Sequence, residues 1–225
     1  EYLLIPVSGL ALKPFSLSLP LAASCGVPYT TAWHALRRGG LVMEGRRLVV
    51  IGAGAVGSAA IALAGVLGTT QLVVAVREAD LSPQLRASGP PLVLLTDATK
   101  FAEDVREHYP MGADLIFDTT GQWVDAAVAP LAELGRIATI AAPKDGHVRL
   151  PLLDLYRKGG VLVGVNSLLY DVEECADMLE PIAEAFDRGE IPPPNAVTEV
   201  SLSDAPAVYR AIDAGSSEKF VFVMP

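Results

Sequence analysis

Short apolar runs alternate with amphipathic stretches along most of the chain, from Arg47 onward. Val and Leu dominate the runs, as they do in buried strands, and helical spacing of apolar residues marks the stretches between them. The pattern predicts strands at Leu48–Ile51, Leu72–Val76, Leu92–Leu95, Asp114–Phe117, Arg136–Ile140 and Val161–Val165. It predicts helices at Ala55–Leu67, Thr99–His108 and Trp123–Leu134, and only a turn or two at residues 82–88. This alternation predicts a parallel sheet with helices on both faces.

A different pattern follows residue 170. Asp171 and Glu174 have the spacing of a capping box, and apolar residues recur at helical spacing from Cys175 to Phe186. We therefore expect a long amphipathic helix there, kinked at Pro181, because proline removes a backbone donor. Beyond a stiff proline-rich connector at residues 191–194, the sequence predicts a strand at Val197–Val200, a helix carrying Val208, Tyr209 and Ile212, and a last strand at Phe220–Val223.

A glycine-rich turn joins the first predicted strand to the first predicted helix. The turn reads Gly52-Ala53-Gly54-Ala55-Val56-Gly57, a GxGxxG motif. The first glycine permits a tight turn, the second lets the backbone approach a pyrophosphate, and the third lets helix and strand pack closely. Free backbone N–H groups and the positive end of the helix dipole then face the phosphates. The motif in this context predicts dinucleotide binding, whereas a purely structural glycine turn is the alternative.

The second predicted strand ends at Arg77, where dinucleotide-binding folds usually carry an acidic residue for the adenosine ribose. A guanidinium there can pair with the 2′-phosphate of NADP, which a carboxylate would repel. The sequence therefore predicts NADP in preference to NAD. Two alternatives stay open: Glu78 or Asp80 serves the ribose if the strand ends one residue later, or Arg77 is only a solvated charge.

Length, charge and cysteine content narrow the function classes. The 225 residues suffice for one large α/β domain with an appendage. A net charge of −9 without a basic run argues against a surface that binds the phosphate backbone of nucleic acid. The two cysteines form no CxxC, which favours a reducing cytoplasm over a disulfide framework. The uncharged run from Leu48 to Val76 is long enough for a membrane span, but its glycines and polar residues 69–71 favour strand, turn, helix and strand.

Several segments resemble, in order, the medium-chain dehydrogenase/reductase superfamily, most closely its quinone-oxidoreductase-like and zinc-type alcohol-dehydrogenase-like members. Glu1–Pro6 resembles the last strand of that family's catalytic domain, and Thr31–Leu36 its TAWxAL helix. The other matching segments are the GADxxFDxxG strand and the LGR turn, at Gly112–Gly121 and Leu134–Ile137, and the later segments Gly164–Leu168, Gly189–Pro192 and Lys219–Val221. Two departures are Ala141-Ala142, where a glycine is often seen, and Glu218-Lys219 in place of GK.

The resemblance implies a Rossmann fold, a doubly wound parallel sheet of six strands in the order 3-2-1-4-5-6. It implies that residues 1–20 are the end of a catalytic domain that is otherwise missing. Residues 21–190 then form the NAD(P)-binding domain, and residues 191–225 return toward the catalytic domain. A homodimer paired through the edge strand Val161–Val165 is a further hypothesis.

The resemblance also implies which residues hold the cofactor. The glycine turn, including Gly52, Gly54, Ala55, Val56 and Gly57, would hold the pyrophosphate, and Arg77 the adenosine ribose. Thr119 and Thr120 would form the inner wall of the cofactor site. The nicotinamide end would be lined by Thr31, Ala141, Val165 and Asn166.

Ser24–Pro28 is similar to the SCGVP run of zinc-dependent alcohol dehydrogenases, in which the cysteine binds the catalytic zinc. Cys25 is therefore a metal candidate, although a tetrahedral site needs two further protein ligands that the chain does not obviously supply, and a small buried cysteine is the alternative. No catalytic residue is identified, because neither YxxxK nor GxSxG is present where needed.

The implied function is the cofactor half of an NADPH-dependent oxidoreductase that transfers hydride to a small-molecule substrate, a quinone, enone or carbonyl. This chain alone is expected to be inactive. A zinc-dependent alcohol dehydrogenase and a non-catalytic dinucleotide-binding module remain as alternatives. Neither nucleic acid nor a membrane is an expected partner.

Overall fold

The computed structural model describes residues 3–40, 45–87, 89–216 and 218–224. The predictions for Glu1, Tyr2 and Ser88 lie outside these ranges. The chain divides into two compact units. One unit is the continuous segment Thr31–Ser167, and the other joins Glu1–Thr30 with Leu168–Pro225. The sequence placed the cofactor-binding domain at residues 21–190, and that assignment stays a prediction.

The unit Thr31–Ser167 is built on a parallel sheet whose strand order is β3-β2-β1-β4-β5-β6. The strands are β1 Arg47–Ile51, β2 Gln71–Val76, β3 Leu92–Leu94, β4 Ala113–Asp118, β5 Leu131–Thr139 and β6 Val161–Gly164. The register aligns Val49 with Val73 on one side and with Ile116 on the other. This confirms the predicted Rossmann-type doubly wound sheet. Because all six strands are parallel, their carboxyl ends meet at one edge.

Helices connect the strands and continue beyond them. Their bounds are α1 Leu19–Ala23, α2 Gly26–Arg38, α3 Ala55–Val66, α4 Pro83–Ala87, α5 Ala98–His108, α6 Leu152–Arg157, α7 Val172–Asp187 and α8 Ala205–Asp213. The predicted helices after β1 and β3 correspond to α3 and α5. Asp97 begins α5 by accepting hydrogen bonds from the backbone N–H groups of Thr99 and Lys100, both at 2.9 Å.

Each face of the sheet buries its own apolar cluster. On one face Phe101 and Val105 of α5 pack with Ile116 and Ile137, and none of these four side chains is exposed. On the other face Val74 and Val76 pack with Ile61 of α3 and Leu85 of α4. Full burial of one such side chain stabilises the fold by about 2–3 kcal/mol. The central strands read as continuous apolar runs because both of their faces are covered.

The helix predicted at Trp123–Leu134 is wrong. Only a short 3-10 helix forms there, at Ala126–Val128, and β5 begins at Leu131. Pairing with β4 decides the outcome, since the backbone N–H of Ala113 donates to Pro130 O at 2.9 Å and the strands continue from that point. The apolar residues at the end of this segment belong to β5. The start of this strand is irregular, because the β4–β5 register shifts there.

The segment that resembles the last strand of the family's catalytic domain forms no strand in its described part. Residues 3–6 form no strand, and a 3-10 helix follows at Val7–Gly9. A strand needs a neighbour to accept its backbone hydrogen bonds. Within the described residues, the strands form only the sheet β1–β6 and a separate two-stranded sheet of β7 Thr198–Ser201 with β8 Phe220–Val223, and neither includes this segment.

The second unit contains the long helix that the sequence predicts. Asp171 and Glu174 form the predicted capping box at the start of α7, and the helix continues through Pro181. Near its end, the ring of Phe186 packs on the buried Tyr29, with 5.2 Å between ring centroids. Asp187 accepts hydrogen bonds from the backbone N–H groups of Phe15 and Ser16. These contacts join segments that are far apart in sequence.

In the part of the chain that the structure describes, no helix combines the length and apolar character needed to cross a membrane.

Candidate functional site

The glycine turn lies at the carboxyl edge of the sheet, directly after β1. Gly52 has φ +91°, and its N–H donates to Ala75 O of β2 at 2.8 Å. A Cβ at Gly52 would lie 2.5 Å from Thr119 Oγ1. The first position of the motif therefore requires glycine for two reasons, its positive φ and the close approach of Thr119.

The other two glycines of the motif differ sharply in their surroundings. A Cβ at Gly57 would lie 2.0 Å from the carbonyl oxygen of Gly52, so the packing of α3 on the turn excludes any side chain there. A Cβ at Gly54 would meet nothing within 4 Å, and the φ of this residue is an ordinary −66°. The fold thus explains Gly52 and Gly57, whereas Gly54 leaves open space that the fold does not use.

That open space faces the start of a helix. Gly54 precedes α3 as its N-cap residue, and no side chain caps the helix. The first N–H groups of an α-helix have no partner within the helix, and the helix dipole makes this end positive. An uncapped helix start beside a glycine with free space is the cradle that a pyrophosphate fits. Ala55, Val56 and Gly57 supply the N–H groups.

A fully buried carboxylate shapes the neighbouring turn after β4. Asp118 Oδ1 accepts hydrogen bonds from Thr120 N, Thr120 Oγ1 and Gly121 N at 2.8, 2.8 and 3.0 Å, and Oδ2 accepts one from Trp123 N at 2.8 Å. Four hydrogen bonds satisfy a buried charge and fix the turn. Thr119 is held from the other side, because its Oγ1 donates to Ile51 O at 2.7 Å.

Asp118 did not emerge from the sequence as a site residue. The signal was present, since an aspartate directly after an apolar strand, followed by Thr-Thr-Gly, is typical of a side-chain-capped turn. The structure places Thr119 against Gly52, and the two predicted wall residues therefore lie beside the glycine turn.

The residues predicted for the nicotinamide end lie in α2 and after β5 and β6. A Cβ at Gly121 would lie 2.4 Å from Ala141 O, so the turn after β4 packs closely on the segment after β5. Val165 is buried, and its N–H donates to Thr139 O at 2.9 Å. Asn166 follows Val165 at the same edge.

Thr31, in α2, contributes an unpaired polar atom. Its side chain is 5% exposed, and its Oγ1 is the one buried side-chain polar atom without a hydrogen-bond partner among the described residues. A buried hydroxyl that lacks a partner costs free energy, so an orphaned one indicates a ligand or water that it would contact.

Arg77 does not extend freely into solvent. Its Nε and Nη2 donate to the two carboxylate oxygens of Asp80 at 2.7 and 3.0 Å. Glu78–Asp80 forms a 3-10 turn directly after Arg77, at the carboxyl end of β2. The sequence treated Arg77 and Asp80 as alternative ribose ligands, and the structure pairs them.

The described residues place no second zinc ligand beside Cys25. The thiol is 6% exposed, its Sγ donates to Leu21 O at 3.3 Å, and burial raises its pKa. Zinc binds thiolate and needs several protein ligands. Across the described ranges, no three His, Cys, Asp or Glu side chains are grouped so that they could hold a metal. The role of Cys25 as a metal ligand therefore stays a prediction without a second ligand.

A cleft of about 290 Å³ lies at the opposite, amino-terminal edge of the sheet. Arg47, Arg106 and Lys158 line it. Lys158 Nζ donates to Ala129 O and Leu131 O, and Arg106 Nη2 donates to Ala129 O at 2.6 Å. Burial, with the neighbouring charge of Arg106, lowers the pKa of Lys158. Arg106 and Lys158 thus bind backbone carbonyl oxygens just before β5 and at its first residue. Their presence in the cleft is therefore explained by their structural role.

The comparisons with known proteins agree with this geometry. Residues 55–184 match the family described as "Zinc-binding dehydrogenase", which is more than half of the 225 residues. The chain belongs to the zinc-binding dehydrogenase family. This confirms the predicted membership of the medium-chain dehydrogenase/reductase superfamily.

One curated relative of this chain is the "Zinc-type alcohol dehydrogenase-like protein C337.11" of Schizosaccharomyces pombe. It is 32% identical over 231 residues, which cover 100% of this chain and 67% of the relative. Among solved structures, the crystal structure of AibC has a TM-score of 0.81 at 25% identity. The match covers 98% of this chain and 65% of the AibC chain. A structure described as an NAD-dependent alcohol dehydrogenase has a TM-score of 0.82 at 24% identity, covering 98% and 63%, and supports the fold alone. This chain thus spans less than two thirds of both solved chains.

Proposed function

We propose that this chain is the nicotinamide-cofactor-binding part of an oxidoreductase, with NADPH preferred over NADH. The observation that carries the proposal is the glycine turn, in which the fold itself requires Gly52 and Gly57 but not Gly54. A residue without a side chain, facing open space and an uncapped helix start, has a reason to be glycine when a phosphate occupies that space.

When bound, a nicotinamide cofactor supplies the hydride that the reaction transfers. The chain's own residues bind and orient it. The N–H groups of Ala55, Val56 and Gly57 donate to the pyrophosphate. Asp118 holds Thr120, and the carbonyl oxygen of Ile51 holds Thr119, so that the two threonines form a rigid wall. The unpaired hydroxyl of Thr31 donates a hydrogen bond at the nicotinamide end. Ala141, Val165 and Asn166 complete that end.

The substrate in this proposal is a quinone, an enone or a carbonyl, reduced by hydride transfer. The name of the S. pombe relative supports the alcohol/carbonyl class. Zinc-dependent alcohol dehydrogenation is the second candidate, and it rests on Cys25 alone among the described residues. Neither activity is expected of this chain without a catalytic part, because no acid, base or metal site is assigned within the described residues. Isolated, it would act as a dinucleotide-binding module.

The same proposal covers organisation and partners. Residues 21–190 would act as the cofactor-binding domain, and residues 1–20 and 191–225 would belong with a catalytic domain, in a cytoplasmic protein.

Edge strand β6, with Val161 and Leu162 each 41% exposed, would pair with a second copy. Sedimentation of the chain tests this pairing, and a monomer at high concentration would contradict it.

A calorimetric titration of Gly54→Ala against the unmodified chain tests cofactor binding. The methyl group has space in the fold but would displace the pyrophosphate from the helix start. Loss of one charge-assisted hydrogen bond costs about 1.5–3 kcal/mol, so we expect at least about tenfold weaker binding of NADPH and NADH. The melting temperature should fall only slightly, because alanine is a poorer N-cap residue than glycine. Gly65→Ala is the matched control, because its Cβ also meets nothing within 4 Å and it lies later in α3. Equal binding by both variants, or no binding by the unmodified chain, would overturn the proposal.

A further inference from the structure

The turn after β2 holds two opposite charges at the place proposed for the adenosine ribose. The N–H of Gly52 donates to Ala75 O at 2.8 Å, and Arg77 follows only two residues later, so this turn lies beside the glycine motif. The N–H of Asp80 donates to Arg77 O at 2.9 Å and closes the turn. The backbone therefore brings the side chains of Arg77 and Asp80 together without any ligand.

The two side chains form a fork-on-fork ion pair. Arg77 donates through Nε and Nη2, with distances of 2.7 and 3.0 Å to the carboxylate oxygens of Asp80. This planar pairing is the one a guanidinium also offers to a phosphate, so a 2′-phosphate and the Asp80 carboxylate compete for the same donors.

The pair is exposed enough to open. The side chains of Arg77 and Asp80 are 70% and 36% exposed. Ion pairs of this kind contribute little net stability, because solvent screens the charges and holding long side chains costs entropy. A 2′-phosphate can therefore displace Asp80, but it binds more weakly than it would to an unpaired arginine. NADH has no such phosphate and leaves the pair intact.

We propose that Asp80 sets the cofactor preference of this site by competing with the 2′-phosphate of NADPH for Arg77. This inference rests on the proposed function. It assigns Arg77 and Asp80 joint roles, with Arg77 attracting the phosphate and Asp80 limiting that attraction. The preference of the unmodified chain for NADPH is then smaller than Arg77 alone would produce.

The test measures dissociation constants for NADPH and NADH with Asp80→Asn. We expect NADPH to bind about fivefold more tightly, while NADH binds equally well or more weakly, consistent with the small energies of exposed ion pairs. Asp104→Asn is the matched control, because it removes the same charge and breaks the Lys100–Asp104 ion pair elsewhere in the same unit. The role of Asp80 would be overturned if the ratio of NADPH to NADH affinity changed equally in both variants. It would also be overturned if the ratio changed in neither.

A second substitution separates competition for Arg77 from simple repulsion. In an Arg77→Gln background, adding Asp80→Asn should leave the affinity ratio nearly unchanged, because nothing remains to compete for. A gain as large as that seen with Arg77 present would contradict the competition. If the unmodified chain binds neither cofactor, the proposed function fails first. If it binds both cofactors and Asp80→Asn has no effect, only this inference fails.

Discussion

Gly57 and Gly65 lie in the same helix, yet an added methyl group would meet opposite surroundings. At Gly57 it would lie 2.0 Å from the carbonyl oxygen of Gly52, whereas at Gly65 it would meet nothing within 4 Å. A backbone atom cannot move away as a flexible side chain can. The close contact between α3 and the glycine turn therefore depends on a hydrogen atom at Gly57.

We expect Gly57→Ala to lower the free energy of unfolding by about 2–3 kcal/mol, because overpacking forces the backbone apart. Gly65→Ala should raise it by about 0.5–1 kcal/mol, because alanine favours the helix. Urea unfolding followed by circular dichroism measures both. Equal stability of the two variants would contradict the packing described for the turn.

Single residues also show where the sequence was sufficient for prediction. The GxGxxG spacing predicted the turn correctly, because Gly52 and Gly57 each lie where the fold has no space for a side chain. Thr31 and Asp118 differ in this respect. An unpaired buried hydroxyl and a carboxylate with four hydrogen bonds depend on what lies around them in three dimensions, and only the structure describes those surroundings.

At the level of elements, Asp114 and Arg47 join the beginnings of β4 and β1. Arg47 donates to Asp114 Oδ2 from its backbone N and its Nε, both at 2.9 Å, and from Nη2 to Oδ1 at 2.8 Å. These hydrogen bonds lower the pKa of Asp114. The side chain of Asp114 is only 14% exposed, so solvent screens this pair less than it screens Arg77 and Asp80.

This pair predicts a pH dependence with a definite sign. Because the pKa is lower in the folded state, the pair stabilises fully above the unfolded pKa, which is about 3.9, and the contribution is lost as the pH falls through the folded pKa. We expect Asp114→Asn to reduce stability by about 1–2 kcal/mol at pH 7, with the difference shrinking below about pH 4. Asp177→Asn, at an exposed position of α7, is the control. Denaturant unfolding from pH 3 to 7 measures the difference, and a constant deficit across that range would contradict the account.

Element type followed from the sequence where the apolar pattern was long and periodic. All six strands of the main sheet were predicted within a few residues, except that β5 begins earlier, at Leu131. The segment Trp123–Leu134 was mistaken for a helix because its apolar residues also suit a helix. The segment instead enters β5, which pairs with β4 from Ala113 onward. The local spacing of apolar residues does not predict a pairing between segments that are distant in sequence.

At the level of the whole molecule, the carboxyl and amino edges of the sheet have different roles. The carboxyl edge carries the glycine turn, the Asp118 turn and the Arg77–Asp80 pair, with space and unpaired donors for a ligand. At the amino edge, Arg106 and Lys158 bind backbone carbonyls of the chain itself. Open parallel sheets bind ligands at the carboxyl edge, and the glycine turn of this molecule lies at that edge.

The most direct test of this account is amide chemical-shift mapping of the labelled chain during titration with NADPH. We expect the largest changes at residues 52–57, 77–80 and 119–121, with small changes at Arg106 and Lys158. Saturable changes centred on the cleft at the amino edge, with the glycine turn unaffected, would contradict the assignment of the cofactor site.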